Sequence, residues 1–404
     1  MGRGWSRRRF VGAVAGAAAV VAVPSPAAPP AGGAPAPESA PAPAPAPAPD
    51  EKTSAGSPRE GSAPRPLYLG TYTSVDGGGT GIATASYDPA TGRITGSGTL
   101  TGVPDPSYLA RHPDGRTLYA VNECEDGAVT AIRLADRRIL GTRSTGGAGT
   151  CHLSVHPSGR WLLSADYRSG SVAVHPIDAS GALGERSDRV THTAPPPGPG
   201  RQGPHAHQVV TGPDGRHVLA VDLGTDTVHT YRLDHTKGTL TPVAQAHTRP
   251  GAGPRHLTFH PGGRYAYLAD EVDDTVTVCG YDPDTGRLTV GEPQPTGSGG
   301  VTNYPAQLLV TANGRYAFLA NRGADCLARY AVEADGARLR LLGTVPVAGD
   351  FPRQIAFSPD GRLLFAANQR SSTVSVFHVD ADQGGLRLAG EPFASPVAVC
   401  ALPL

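Results

Sequence analysis

One turn recurs along this chain. HPDGR at 112–116, HPSGR at 156–160, GPDGR at 212–216, HPGGR at 260–264, TANGR at 311–315 and SPDGR at 358–362 begin 44, 56, 48, 51 and 47 residues apart. Each is Gly-containing turn chemistry between β-rich runs, as in HLTFHPGGRYAYLAD, and so marks a hairpin. A second strand pair follows in each unit, for example TVTVCGYDPDTGRL at 275–288, closed by its own DPDTG turn. Units of four short strands at this period are the blades of a β-propeller, whose radial packing leaves only short, protected edges. Six turns predict six blades. YLGTYTS and GIATASYDPATGRI (68–94) supply strands of a seventh, and the C-terminal EPFASPVAVCALPL is expected to complete it and close the ring. The expected fold is all-β, a seven-bladed β-propeller over residues 67–404.

The segment before it differs in kind. SRRRFV at 6–11 precedes the weakly apolar run GAVAGAAAVVAV, a pattern that resembles a twin-arginine export signal with its pair at Arg7 and Arg8. The run is too short and alanine-rich for a transmembrane span, so residues 1–30 read as an export signal and the protein as secreted or held in the cell envelope, without stable membrane insertion. Residues 31–66 are rich in Pro and Ala and are expected to stay disordered as an extended linker.

Thirty-five basic and 35 acidic residues cancel, with no basic block beyond the signal, which excludes the electrostatic footprint of a nucleic-acid binder. The five cysteines (Cys124, Cys151, Cys279, Cys326, Cys400) lack metal-ligand spacing, and most of them read as small buried hydrophobes. A monomer acting on a small molecule, with neither cofactor nor metal, is expected.

Aligning the units on the turn arginine exposes three registers. Six residues after it stand Asn122, Asp166, Asp222, Asp270, Asn321 and Asn368, short polar residues suited to holding local backbone and read as architecture. Nine before it, opening the first strand, stand Ser107, Cys151, His207, Arg255, Ala306 and Arg353; seven after it, closing the second, stand Glu123, Tyr167, Leu223, Glu271, Arg322 and Gln369. Both of the latter registers fall at the open end of one hairpin and hence on one face of the disk. The first strand lines the central channel, so Arg255 and Glu271 should meet near its mouth, with His207 from the preceding blade and Arg322 from the following one. His205 lies just outside its strand, as an entrance or substrate-contact residue. His152 and His256 come one residue later than the channel register. Alternation along a strand puts them on the opposite face, as inter-blade histidines and secondary substrate-binding candidates.

CHLSVHPSGRWLLSADYRSGSVAVHPID, GPHAHQVV, GPRHLTFHPGGRYAYLADEVDDTVTVCGYD and FPRQIAFSPDGRLLFAANQRSSTVSVFHVD, in that order, closely resemble the seven-bladed β-propeller lactonase family, which includes bacterial propeller-type 6-phosphogluconolactonases and fungal carboxymuconate cyclases. The resemblance runs from about residue 66 to the C-terminus. It implies lactone chemistry without an obligatory metal, with the family's histidine in PHxH on His207, its arginine in GPRH on Arg255, its glutamate on Glu271 and a further arginine on Arg322. Arg353, in FPR, is a second basic candidate. In one departure Gln307 stands where similar proteins usually carry an acid, which bears on substrate choice if that acid orients substrate.

Hydrolysis of a sugar lactone, phosphorylated or not, needs an activated water and a home for the oxyanion. His207 is the candidate base, and Glu271 either orients the constellation or is itself the base. Arg255 and Arg322 fit both oxyanion stabilisation and anion clamping. Two other readings stay open: a muconate-type lactonising cyclase, and a non-catalytic ligand-binding propeller at the cell surface. A nucleophilic serine lacks its GxSxG elbow, and Cys151 beside His152 makes a poor pair, since neighbours on a strand diverge.

Overall fold

The computed structural model describes residues 63–193 and 203–404. The expected export signal and all but the end of the expected linker lie outside the described residues. Seven antiparallel sheets follow one another along the chain. Blades 2 to 7 each run from an innermost strand outwards: Leu109–Arg111, Thr150–Val155, Ala206–Thr211, Pro254–Phe259, Tyr304–Val310 and Pro352–Phe357 line the axis. Blade 1 is assembled from both ends of the domain. Its innermost strand is Ala398–Pro403, paired with Arg65–Thr71, so the first strand begins two residues before the expected boundary. The stretch EPFASPVAVCALPL divides its work, because Phe393–Ala394 pairs instead with Thr373 and Val374 at the edge of blade 7. Neighbouring innermost strands touch all the way round, which closes the ring.

Second strands such as LLFAAN (Leu363–Asn368) are buried at every residue because both of their faces meet a sheet, and a continuous short apolar run is what such a strand requires. Between blades 5 and 6 the filling is Tyr267, Ala269, Val276, Leu319 and Tyr330. Outermost strands such as Ile94–Thr101 are largely exposed. Among the described residues no helix is long and apolar enough to cross a membrane.

The recurrent turn now has a physical reason. Its glycine adopts positive φ in every copy, 79° at Gly115, 70° at Gly159, 67° at Gly215, 73° at Gly263, 71° at Gly314 and 70° at Gly361, a conformation that other L-residues resist. Its histidine staples blades together. His112, His156 and His260 each bond through Nε2 to the turn-glycine carbonyl of the next blade, at 2.8 Å to Gly159, 3.0 Å to Gly215 and 3.1 Å to Gly314. The six Asn and Asp residues of the first register are all buried. Asp166, for example, accepts hydrogen bonds from Thr145, Thr150 and Ser171.

The innermost strands do not alternate simply. Pairing skips a residue between Thr150 and His152, Ala206 and Gln208, Pro254 and His256, and Pro352 and Gln354. The extra residues of these bulges are Cys151, His207, Arg255 and Arg353, the channel register itself. A bulge re-aims side chains, so here two successive residues both reach the axis. Glutamines at the second position form a belt, joined by Gln307 from the irregular stretch between Pro305 and Leu308: Gln208 Oε1 accepts from Leu257 N–H at 2.7 Å, Gln354 Oε1 from Ala401 N–H at 2.8 Å, and Gln307 Oε1 from Ile355 N–H at 3.4 Å.

Candidate active site

The bulges place His207, Arg353 and Cys151 around a cavity of about 220 Å³ at one mouth of the channel, with Tyr72, Glu123, Tyr167, Glu271 and Arg322 completing its wall. Two acid–arginine groups face each other across it. In the first, Oε2 of Glu271 is 2.5 Å from Arg322 Nη2 and 3.0 Å from Arg255 Nε. Both guanidiniums are further fixed by main-chain carbonyls: Arg255 Nη1 donates to Ala306 O at 2.6 Å, and Arg322 Nε to Tyr304 O at 2.9 Å. Burial works against the Glu271 charge, but Arg322 and Arg255 outweigh it and hold the carboxyl below its usual range. Arg255 is pushed down to about 9 by burial and by the nearby Arg322 and Arg353, so it stays charged at neutral pH.

In the second group Glu123 Oε2 accepts from Ser107 Oγ at 2.5 Å and from Tyr72 Oη at 2.8 Å. Arg353 approaches the same oxygen only to 3.7 Å, and its guanidinium lies 5.6 Å from the Tyr72 ring centroid. Arg353 is thus the cavity's most loosely paired cation.

His207 stands between the groups, 5% exposed, with Nδ1 buried and unpartnered. Burial, then Arg255, Arg353 and Arg322, drive its pKa well below 6.5, so the ring is neutral. The Cys151 thiol is pushed up, first by burial, which keeps it protonated and a poor nucleophile.

His152 and His256 depart from the expected inter-blade position. Because of the bulges their rings converge on the axis next to His207: His256 is 5.2 Å from His207 and 5.4 Å from His152, centroid to centroid, and Tyr108 caps His152 at 4.2 Å. His152 lines a second cavity, of about 460 Å³, on the far side of this layer, together with Gln208 and Gln307. Gln307 therefore belongs to the belt and not to the wall of the 220 Å³ cavity. His205 also stays off that wall; it stacks on Tyr167 at 4.5 Å, and its Nδ1 bonds the Tyr167 carbonyl at 2.8 Å.

Sequence reasoning passed over Tyr72, Glu123 and Tyr167 as site residues. Glu123 and Tyr167 share the register of Glu271, so a signal was present; Tyr72 belongs to blade 1, which lacks the recurrent turn.

Fold and cavity together define a closed propeller with a small-molecule site of acids, arginines and one neutral histidine at one end of its channel. Residues 66–403 match the family described as "Lactonase, 7-bladed beta-propeller", and the chain belongs to that family. It is similar to the 6-phosphogluconolactonase of Bacillus subtilis, at 30% identity over 291 residues, covering 70% of this chain and 82% of the relative. Among solved structures it resembles a periplasmic gluconolactonase of Pseudomonas aeruginosa (31% identity, TM-score 0.77, covering 85% of this chain and 99% of the other). A putative 6-phosphogluconolactonase of Bacteroides fragilis is comparable (29% identity, TM-score 0.78, covering 86% and 100%).

Proposed function

We propose that this protein hydrolyses the cyclic ester of a sugar lactone in the 220 Å³ cavity. The observation that carries this reading is the placing of a buried neutral imidazole between two acid–arginine groups. His207 takes a proton from the attacking water, an effect typically worth about 10²- to 10⁴-fold. Glu271, held ionised by two arginines, is a weak base and serves to position them. The negative charge that develops on the lactone oxygen sits beside Arg322, which lines the cavity and is one of the arginines that depress the imidazole, so His207 grows more basic as the reaction advances. Loss of one such donor commonly costs about 3 kcal/mol. Arg353, the loosest of the three, is the group for a phosphate or other anion on the substrate.

Relatives described as a 6-phosphogluconolactonase and as a periplasmic gluconolactonase support this substrate class. The arginine pair and apolar run near the N-terminus support action outside the cytoplasm, which cell fractionation tests. The chemistry is tested by pH-stat assay of the purified protein on δ-gluconolactone and 6-phosphogluconolactone, beside His207→Ala. Acid release above the spontaneous rate that falls at least about 10²-fold in the variant is the expected result; equal rates in both proteins rule the assignment out.

A further inference from the structure

Blades 3 and 4 each break the repeat once, at two places that meet. In blades 2, 3, 4, 6 and 7 the first residue past the outermost strand bonds back, through its N–H, to a carbonyl of its own blade; it is Thr145, His192, Thr248, Val347 and Ser395. Small residues serve this position everywhere but His192. The second place lies seven residues beyond the architectural Asp or Asn. Thr277 there donates to Asp270 at 2.7 Å, and Ser375 bonds Asn368 at 2.9 Å; blade 4 has His229 instead.

Both imidazoles gather at Asp222. His192 Nδ1 is 2.6 Å from Asp222 Oδ2, and the two rings lie 4.0 Å apart at 22°. His192 is 4% exposed, His229 6% and Asp222 0%. In each histidine Nε2 is buried and has no hydrogen-bond partner. Two buried polar atoms left bare are a cost that the small residues of the other blades avoid, so the pair of imidazoles calls for something that the orphaned nitrogens can bind. Both rings also border a cavity of about 160 Å³, with Gln245 on its rim.

We propose that His192, His229 and Asp222 form a site for a divalent transition metal of the zinc type. The donor set, two imidazoles and a carboxylate, suits such an ion, and one ligand atom from each residue lies within 4.8 Å of the others. Metal–nitrogen bonds of about 2.0–2.1 Å need the donors to draw closer, and the adjoining cavity gives His229 room to turn and a water room to complete the shell. Asp222 also accepts from His205 N–H at 2.9 Å and Thr225 N–H at 3.0 Å. A bound ion therefore anchors the entry to the strand that carries His207, as a structural site apart from the channel.

The test uses the full, tag-free chain equilibrated with micromolar zinc, washed, and measured by elemental analysis, with melting followed with and without chelator. The expected result is one retained zinc per chain and a melting temperature that drops on chelation. The double variant His192→Thr/His229→Thr places at each position a residue that another blade carries there, as at Thr145 and Thr277, and is expected to fold, to retain no zinc and to melt independently of chelator. Zinc retention and a chelator shift unchanged in that variant, or no zinc in the unsubstituted protein, overturn the proposal. X-ray absorption at the zinc edge of the unsubstituted protein reads the ligands directly: two imidazoles with oxygen support the site, whereas three imidazoles place the ion at His152, His207 and His256 and refute it.

Discussion

His207 stands edge-on to His256, with ring centroids 5.2 Å apart and planes at 66°. Both are buried, and burial followed by Arg255 drives each pKa well below 6.5. His152, beside them, falls to about 3 for the same reasons. The axis of the propeller thus carries three imidazoles packed edge to face that stay uncharged at neutral pH.

A pH dependence of stability follows. In the unfolded chain these histidines take up protons as the pH falls through about 6.5, while the folded ones do not. The unfolded state then binds more protons, so their contribution to stability is complete above 6.5 and is lost progressively as the pH drops from there towards 3. Each histidine adds up to about 1.4 kcal/mol per pH unit. Urea unfolding at pH 7 and pH 5 is expected to show a smaller loss for His256→Gln than for the unsubstituted protein; equal losses would contradict the burial argument.

Glu271→Gln leaves two guanidiniums, with side chains 3% and 4% exposed, facing a neutral amide. Removing one partner of a buried ion pair costs about 3–5 kcal/mol, so this variant is expected to unfold at clearly lower urea and to lose lactone opening. Added sulfate, by supplying the missing charge, is expected to recover part of the stability. A variant as stable as its parent shows that the arginines do not depend on this carboxylate.

Arg353→Met tests whether the loosest cation reads substrate charge. A charge-assisted hydrogen bond contributes about 1.5–3 kcal/mol, or about 10- to 100-fold in kcat/KM. That loss is expected on 6-phosphogluconolactone and not on δ-gluconolactone. Equal losses on both lactones assign Arg353 to the ester carbonyl instead.

Asp270 gives the opposite pH sign. Burial raises its pKa to about 7, and Oδ1 is buried without a partner. The folded state keeps a proton that the unfolded chain has released above about 3.8, so this residue's contribution falls as the pH climbs from 3.8 to 7. Asn122, Asn321 and Asn368 occupy its place in other blades. Asp270→Asn is therefore expected to stabilise the protein at pH 8 by on the order of 1 kcal/mol or more, read as a higher urea midpoint, and to gain progressively less as the pH falls towards 3.8.

The blade count and the meeting of Arg255, Glu271, Arg322 and His207 were legible in the sequence because one rigid turn marks the same point in six blades. Counting from its arginine transfers a position from blade to blade without any structure. The bulges were not legible. Strict alternation sent His152 and His256 to the blade interfaces, whereas the residue inserted just before each of them turns both to the axis. Tyr72 escaped for a related reason, since without the turn blade 1 offers no origin to count from. The register did reach Glu123 and Tyr167, but an acid and a phenol at a strand end gain meaning only when Arg353 and His207 are seen across a 220 Å³ space. The departure at Gln307 drew attention to substrate choice, and its side chain instead serves a backbone N–H of the next blade.

The closing strand also sets a timetable. Thr71 donates to the Pro396 carbonyl at 2.5 Å across 325 residues of chain, and Leu67 to Thr71 find their inner partner only in Ala398–Pro403. At synthesis rates of about 5–20 residues per second, the first blade waits tens of seconds on the ribosome with a bare apolar edge. Such an edge invites pairing with other chains, so the newborn protein stays open to aggregation until Ala398–Pro403 emerges and covers the opening strand.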